Sequence, residues 1–110
     1  MFNPILFASV TLIALSAAAE ESVCALSQIV NGSPRNWENK IVSRAEVFEL
    51  STTDGVFKGT VFYQTDLDGW SLSIKAGDSL SAGFFEGASK TAVLTLNSQG
   101  KKAQINCNFN

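Results

Sequence analysis

At 110 residues the chain suits a single domain, and an apolar fraction of 45% allows a core and argues against wholesale disorder. Net charge is −2 and the basic residues are scattered apart from the pair Lys101 and Lys102, so no stripe suits nucleic acid or an anionic membrane. Histidine is absent, which excludes Ser-His-Asp and Cys-His catalysis and the usual zinc sites.

The first segment reads as an address. Ile5–Ala14 is an apolar run of signal-peptide size, and Ala17 and Ala19 put small residues where a signal peptidase needs them. Residues 1–19 are therefore expected to be a signal peptide cleaved after Ala19, with 20–110 as one small β domain. Ser9, Thr11 and Ser16 dilute the run, which argues against an uncleaved membrane anchor, so no stable span is expected after cleavage. The expected localisation is secreted or periplasmic. In such an oxidising compartment two cysteines normally pair, and Cys24 and Cys107 are the only two.

Val23–Val30 is the first predicted strand, and Asn31, Gly32, Ser33 and Pro34 break it with a dense turn signal. Arg35–Lys40 is polar around Trp37 and reads as a connecting loop. Predicted strands follow at Ile41–Leu50, Val56–Gln64, Trp70–Lys75, Ser79–Glu86, Thr91–Asn97 and Lys102–Phe109. In the first of these Ala45 and Val47 fall on one face and Phe48 and Leu50 on the other, which suggests a bulge or burial on both faces. Trp70, Leu72 and Ile74 alternate with Ser71, Ser73 and Lys75, and Ala103, Ile105, Cys107 and Phe109 alternate with Lys102, Gln104, Asn106 and Asn108. Period two with one polar face marks antiparallel strands packed on one side. Short breakers such as Thr53-Asp54-Gly55 and Ser98-Gln99-Gly100 separate the strands. The expected fold is all-β: an antiparallel meander of six to seven strands closing as a barrel, with a two-sheet sandwich as the alternative.

Chemistry is sparse. Asp66 and Asp68 alternate before Gly69 and are the candidate calcium ligands, though the rest of a calcium loop is missing. Glu46 and Glu49 differ by an odd number and would face opposite sides of an unbroken strand, and Tyr63 has no predicted base beside it. The expectation is a protein that is not an enzyme and carries no cofactor. Aromatic residues are in surplus: Phe62 lies opposite Phe57, Val61 and Tyr63 on its strand, and Phe84 and Phe85 face opposite ways. Trp37, Phe48, Phe62 and Phe85 are accordingly the candidate binding residues, forming a patch if exposed together.

Size and clasp are similar to those of small disulfide-closed barrels of the cell envelope, which include lysozyme and protease inhibitors, a likeness of fold alone. The functional expectation is an exported, non-enzymatic binding or accessory protein of the envelope or medium, such as an inhibitor acting through loops and exposed aromatics. The partner would be another protein. The alternative is a carrier of a small apolar ligand inside a β-barrel, and a carboxylate-only enzyme ranks last.

Overall fold

A computed structural model describes residues 21–110. The expected signal peptide and its cleavage point lie outside them. Eight strands make up the domain: β1 (Ser22–Val30), β2 (Ser33–Val42), β3 (Phe48–Ser51), β4 (Lys58–Gln64), β5 (Gly69–Ala76), β6 (Ser79–Glu86), β7 (Thr91–Ser98) and β8 (Lys101–Asn108). They form two four-stranded antiparallel sheets, ordered β2-β1-β8-β7 and β3-β4-β5-β6. Local turn chemistry sets most of the pairing. Asn31 and Gly32, at φ 52° and 80°, join β1 to β2, and Gln99 and Gly100, at φ 53° and 79°, join β7 to β8. Left-handed backbone at both central residues gives a two-residue turn whose twist matches that of the flanking strands.

One pairing is not local. β1 lies antiparallel to β8, with Cys24 directly opposite Cys107, and the two are joined by a disulfide across a sequence separation of 83. First and last strands thus sit at the centre of one sheet, and the bond locks them together.

The core lies between the sheets. Phe57, Val61, Trp70, Leu72 and Ile74 from one side meet Leu26, Ala103, Ile105 and the disulfide from the other, all essentially inaccessible. At Gly59 the two sheets approach closely: a Cβ there would stand 2.9 Å from Ile105 Cδ1. Trp70 stacks on Phe109 at 4.4 Å between ring centroids and meets Tyr63 edge-on at 5.2 Å. These rings plug one end of the interior.

Three expectations need correction. The strands number eight, and they form a sandwich-like pair of sheets that does not close into a barrel. Where β2 and β3 face each other as sheet edges, side chains bridge the gap that backbone bonds would fill in a barrel. Lys40 Nζ donates to the Glu49 carbonyl at 2.7 Å, and Ser51 N donates to Glu38 Oε1 at 2.8 Å. On the other flank a Ser98–Ser79 hydroxyl contact of 3.1 Å joins β7 to β6. Second, Arg35–Lys40 is the middle of β2 and not a loop. Third, the stretch Ile41–Leu50 is not one strand: β2 ends at Val42, a turn intervenes, and β3 begins at Phe48. That turn accounts for the broken alternation, since Ala45 and Val47 lie outside any strand while Phe48 and Leu50 face the core.

Candidate functional site

The candidate binding aromatics are not brought together. Phe48 and Phe85 pack against the core from the inner face of the second sheet. Phe62 is half-buried on the outer face of that sheet, in a lateral row with Ser71 and the exposed Phe84. Trp37 is on the other sheet and is 50% exposed.

Trp37 owes its position to a bulge. β1 and β2 pair regularly from Ser22 with Val42 to Leu26 with Glu38, and resume at Gln28 with Arg35. Ser27 therefore opposes two residues, Asn36 and Trp37. Asn36 takes up the extra length at φ 51°, a left-handed conformation that asparagine tolerates better than most residues. Register puts Trp37 on the same face as Ser27, away from the core.

The bulge is held from below. Asn36 Nδ2 donates to Gln28 Oε1 at 2.8 Å, and Gln28 Nε2 donates to Asp54 Oδ2 at 2.6 Å. Asp54 Oδ1 also accepts from the Thr52 hydroxyl at 2.8 Å and from Val56 N at 3.0 Å. Thr52 in turn accepts from Phe57 N at 3.2 Å. Gln28 and Thr52 are both buried, so this chain satisfies groups that would be costly to leave unpaired. Its donors hold the Asp54 carboxyl below its ordinary 3.8, chiefly through the Val56 backbone bond and then the Thr52 hydroxyl. Thr53 N reaches across to the Asn36 carbonyl at 2.9 Å. Residues 36 and 38, on either side of Trp37, are thus both tied to the segment running from β3 into β4.

Around Trp37 the outer face of the first sheet is nearly uncharged and mixed, with amides and hydroxyls set among apolar residues that include the exposed Ile41 and Val93. One row runs Trp37, Ser27, Gln104, Thr95 across four strands, and the next runs Asn39, Ala25, Asn106, Val93. Asn106 Nδ2 donates to Gln104 Oε1 at 2.8 Å, and Gln104 Nε2 donates to Thr95 Oγ1 at 3.3 Å.

The carboxylates singled out in the sequence are dispersed. Asp68 carries φ 53° in the β4–β5 turn; its side chain accepts from the Tyr63 hydroxyl and its carbonyl from Gly87 N. The bond to Asp68, then burial, raises the Tyr63 phenol above its ordinary 10.0. Arg44 lies over the same ring, 4.3 Å from its centroid. Glu46 falls in the turn before β3 and Glu49 on the outer side of that strand. Among the described residues no three His, Cys, Asp or Glu side chains gather in a way that could hold a metal.

Two depressions, of about 310 and 160 Å³, open at the turn ends of the strands. Lys101 lines both, with Gln28 and Asn31 in the larger and Val56 and Gln99 in the smaller. The larger is lined by the first sheet alone, and the smaller opens between the turn ends of the two sheets, where Val56, Ala76 and Gly77 face Ser98, Gln99 and Lys101.

No family model matches the chain, and neither curated proteins nor solved structures contain a match to it.

Proposed function

We propose that this is an exported, non-enzymatic binding module whose contact surface centres on Trp37. One observation carries the reading. A half-exposed indole sits on a bulge whose neighbours on both sides are anchored to the opposite sheet. An aromatic on a mobile loop loses conformational freedom when it binds, whereas an aromatic already held in place does not. Bulges that re-aim one side chain are common beside functional sites. The filled interior supports a surface contact over an apolar ligand carried inside. Export follows from the leader-like first 19 residues and suits a domain fastened by Cys24 and Cys107.

The test compares the mature protein with Trp37→Ala and Phe84→Ser, each immobilised and exposed to envelope extract and medium from the source organism. A macromolecule retained by the native protein and by Phe84→Ser, and lost from Trp37→Ala, is expected. Equal retention by all three removes Trp37 from the contact surface. Mass measurement of the exported chain should begin at Glu20; a retained Met1 contradicts export by a cleaved leader.

A further inference from the structure

The composition of the Trp37 face narrows the ligand, given the binding role proposed above. Four strands contribute four rows to the outer side of the first sheet. The chain has 18 charged residues, 8 basic and 10 acidic, yet those rows hold one, Lys102 at the margin. β2 itself carries Arg35, Glu38 and Lys40, but all three fall on the opposite parity, opposite Gln28, Leu26 and Cys24. The outer face of the second sheet is different, with Glu49, Lys58, Lys75 and Glu86 along its strands. Charge has been kept off one face only.

We infer that the Trp37 face binds a neutral polysaccharide, with a sugar ring stacked on the indole and its hydroxyls met by the side chains of Asn39, Gln104, Asn106 and Thr95. The chemistry runs by exclusion and then by fit. An ionic ligand would give up hydration with no opposite charge to receive it. A purely apolar ligand would bury these amides without partners, at a cost for each, while the exposed Ile41 and Val93 on the same face give apolar ring faces a surface to meet beside the indole. A neutral sugar avoids both penalties. Each of its hydroxyls donates and accepts, and each amide does both. The bonds linking Asn106, Gln104 and Thr95 hold these groups in a defined order while leaving further donors and acceptors free. The apolar face of a sugar ring is flat, and an exposed indole is the broadest flat apolar surface a side chain provides. Three inter-strand spacings of about 4.8 Å make the row from Trp37 to Thr95 roughly 14 Å long, which suits a short run of linked rings better than a single sugar.

The mature protein is run in native gels containing a β-glucan, a mannan or a dextran, and in one containing polygalacturonate, with tryptophan emission followed in parallel titrations. Trp70 is 1% exposed and stacked on Phe109, so a change in emission reports Trp37. Retardation by at least one neutral polymer is expected, with a blue shift in emission. Affinity should fall at least tenfold in Trp37→Ala, several-fold in Gln104→Ala, and stay unchanged in Phe84→Ser. Cooperative unfolding of each variant confirms that it is folded. Retardation by none of the neutral polymers, or by polygalacturonate alone, overturns the inference. A Trp37-dependent dimer, or a Trp37-dependent partner destroyed by protease, also overturns it, and the latter leaves the binding role standing. Loss of all Trp37-dependent capture removes both.

Discussion

Reducing the disulfide should cost the domain much of its stability, and should do so through the unfolded chain. Cys24 and Cys107 already sit opposite each other in the β1–β8 ladder, so the native state keeps that pairing when the bond is cut. The unfolded chain gains the freedom of a loop closed across a sequence separation of 83. In the chain-entropy relation that freedom is worth about 4.5 kcal/mol at 25 °C. For a domain of this size a loss of that order lowers the melting temperature by roughly 20–30 °C. The double variant Cys24→Ala/Cys107→Ala removes the bond without leaving thiols to re-form it, and its two vacated sulfur positions add a small packing loss in a fully buried site. Urea unfolding at pH 7, with and without a reductant, measures the difference. Folding should also slow on reduction, because β1 and β8 must then find each other across nearly the whole domain. A reduced protein whose melting temperature lies within about 5 °C of the oxidised one would refute the reasoning, since the terminal strands would then need no staple.

The polar chain beneath the bulge gives a second test. Thr52→Val keeps the shape but strands the Phe57 N–H, which now donates to the buried hydroxyl; a loss of about 1–3 kcal/mol in urea is expected, and an unchanged midpoint would show that this bond is unimportant. Stability should also respond to pH at both extremes. The Asp54 carboxyl, held below 3.8, contributes stability that is present above that value and drains away as pH falls through its lower folded one. Tyr63, raised above 10.0, contributes stability that is present below that value and is lost as pH rises through its higher folded one. Asp54→Asn should therefore flatten the acid limb of a urea-midpoint profile and Tyr63→Phe the alkaline limb. Limbs that keep their native slopes in both variants would contradict these assignments.

The residues that announced themselves in the sequence were those with one apolar face. β5 and β8 alternate cleanly because one side meets the core and the other meets water, and the clasp between Cys24 and Cys107 followed from their being the only two cysteines behind a leader-like segment. The opposed faces of Phe57 and Phe62, and of Phe84 and Phe85, were also legible from parity. β2 was not, because its inward face carries Arg35, Glu38 and Lys40, and its apolar residues Pro34, Trp37 and Ile41 share the outer face only through the parity shift at the bulge. One face carries Trp37 and Asn39 to solvent, and the other spends Glu38 and Lys40 on the edge of β3. Hydrophobic period cannot mark such a strand, and Pro34 with Asn36 made it read as a loop. Barrel and sandwich were indistinguishable because the outcome turns on whether the edge strands β2 with β3, and β6 with β7, bond through backbone or through side chains, which strand pattern does not mark. Gln28 and Asp54, which lie 26 positions apart, gave no local signal of their contact.

The most direct measurement is an NMR titration of the mature protein with the neutral polysaccharide that retards it most. Two indole N–H signals are expected, one from each tryptophan. The Trp37 signal and the side-chain amides of Asn39, Gln104 and Asn106 should shift together and saturate at one concentration, while the buried Trp70 signal stays in place. Shifts confined to the row of Phe62, Ser71 and Phe84, or to the groove beside Lys101, would place the contact elsewhere and contradict the assignment of the Trp37 face.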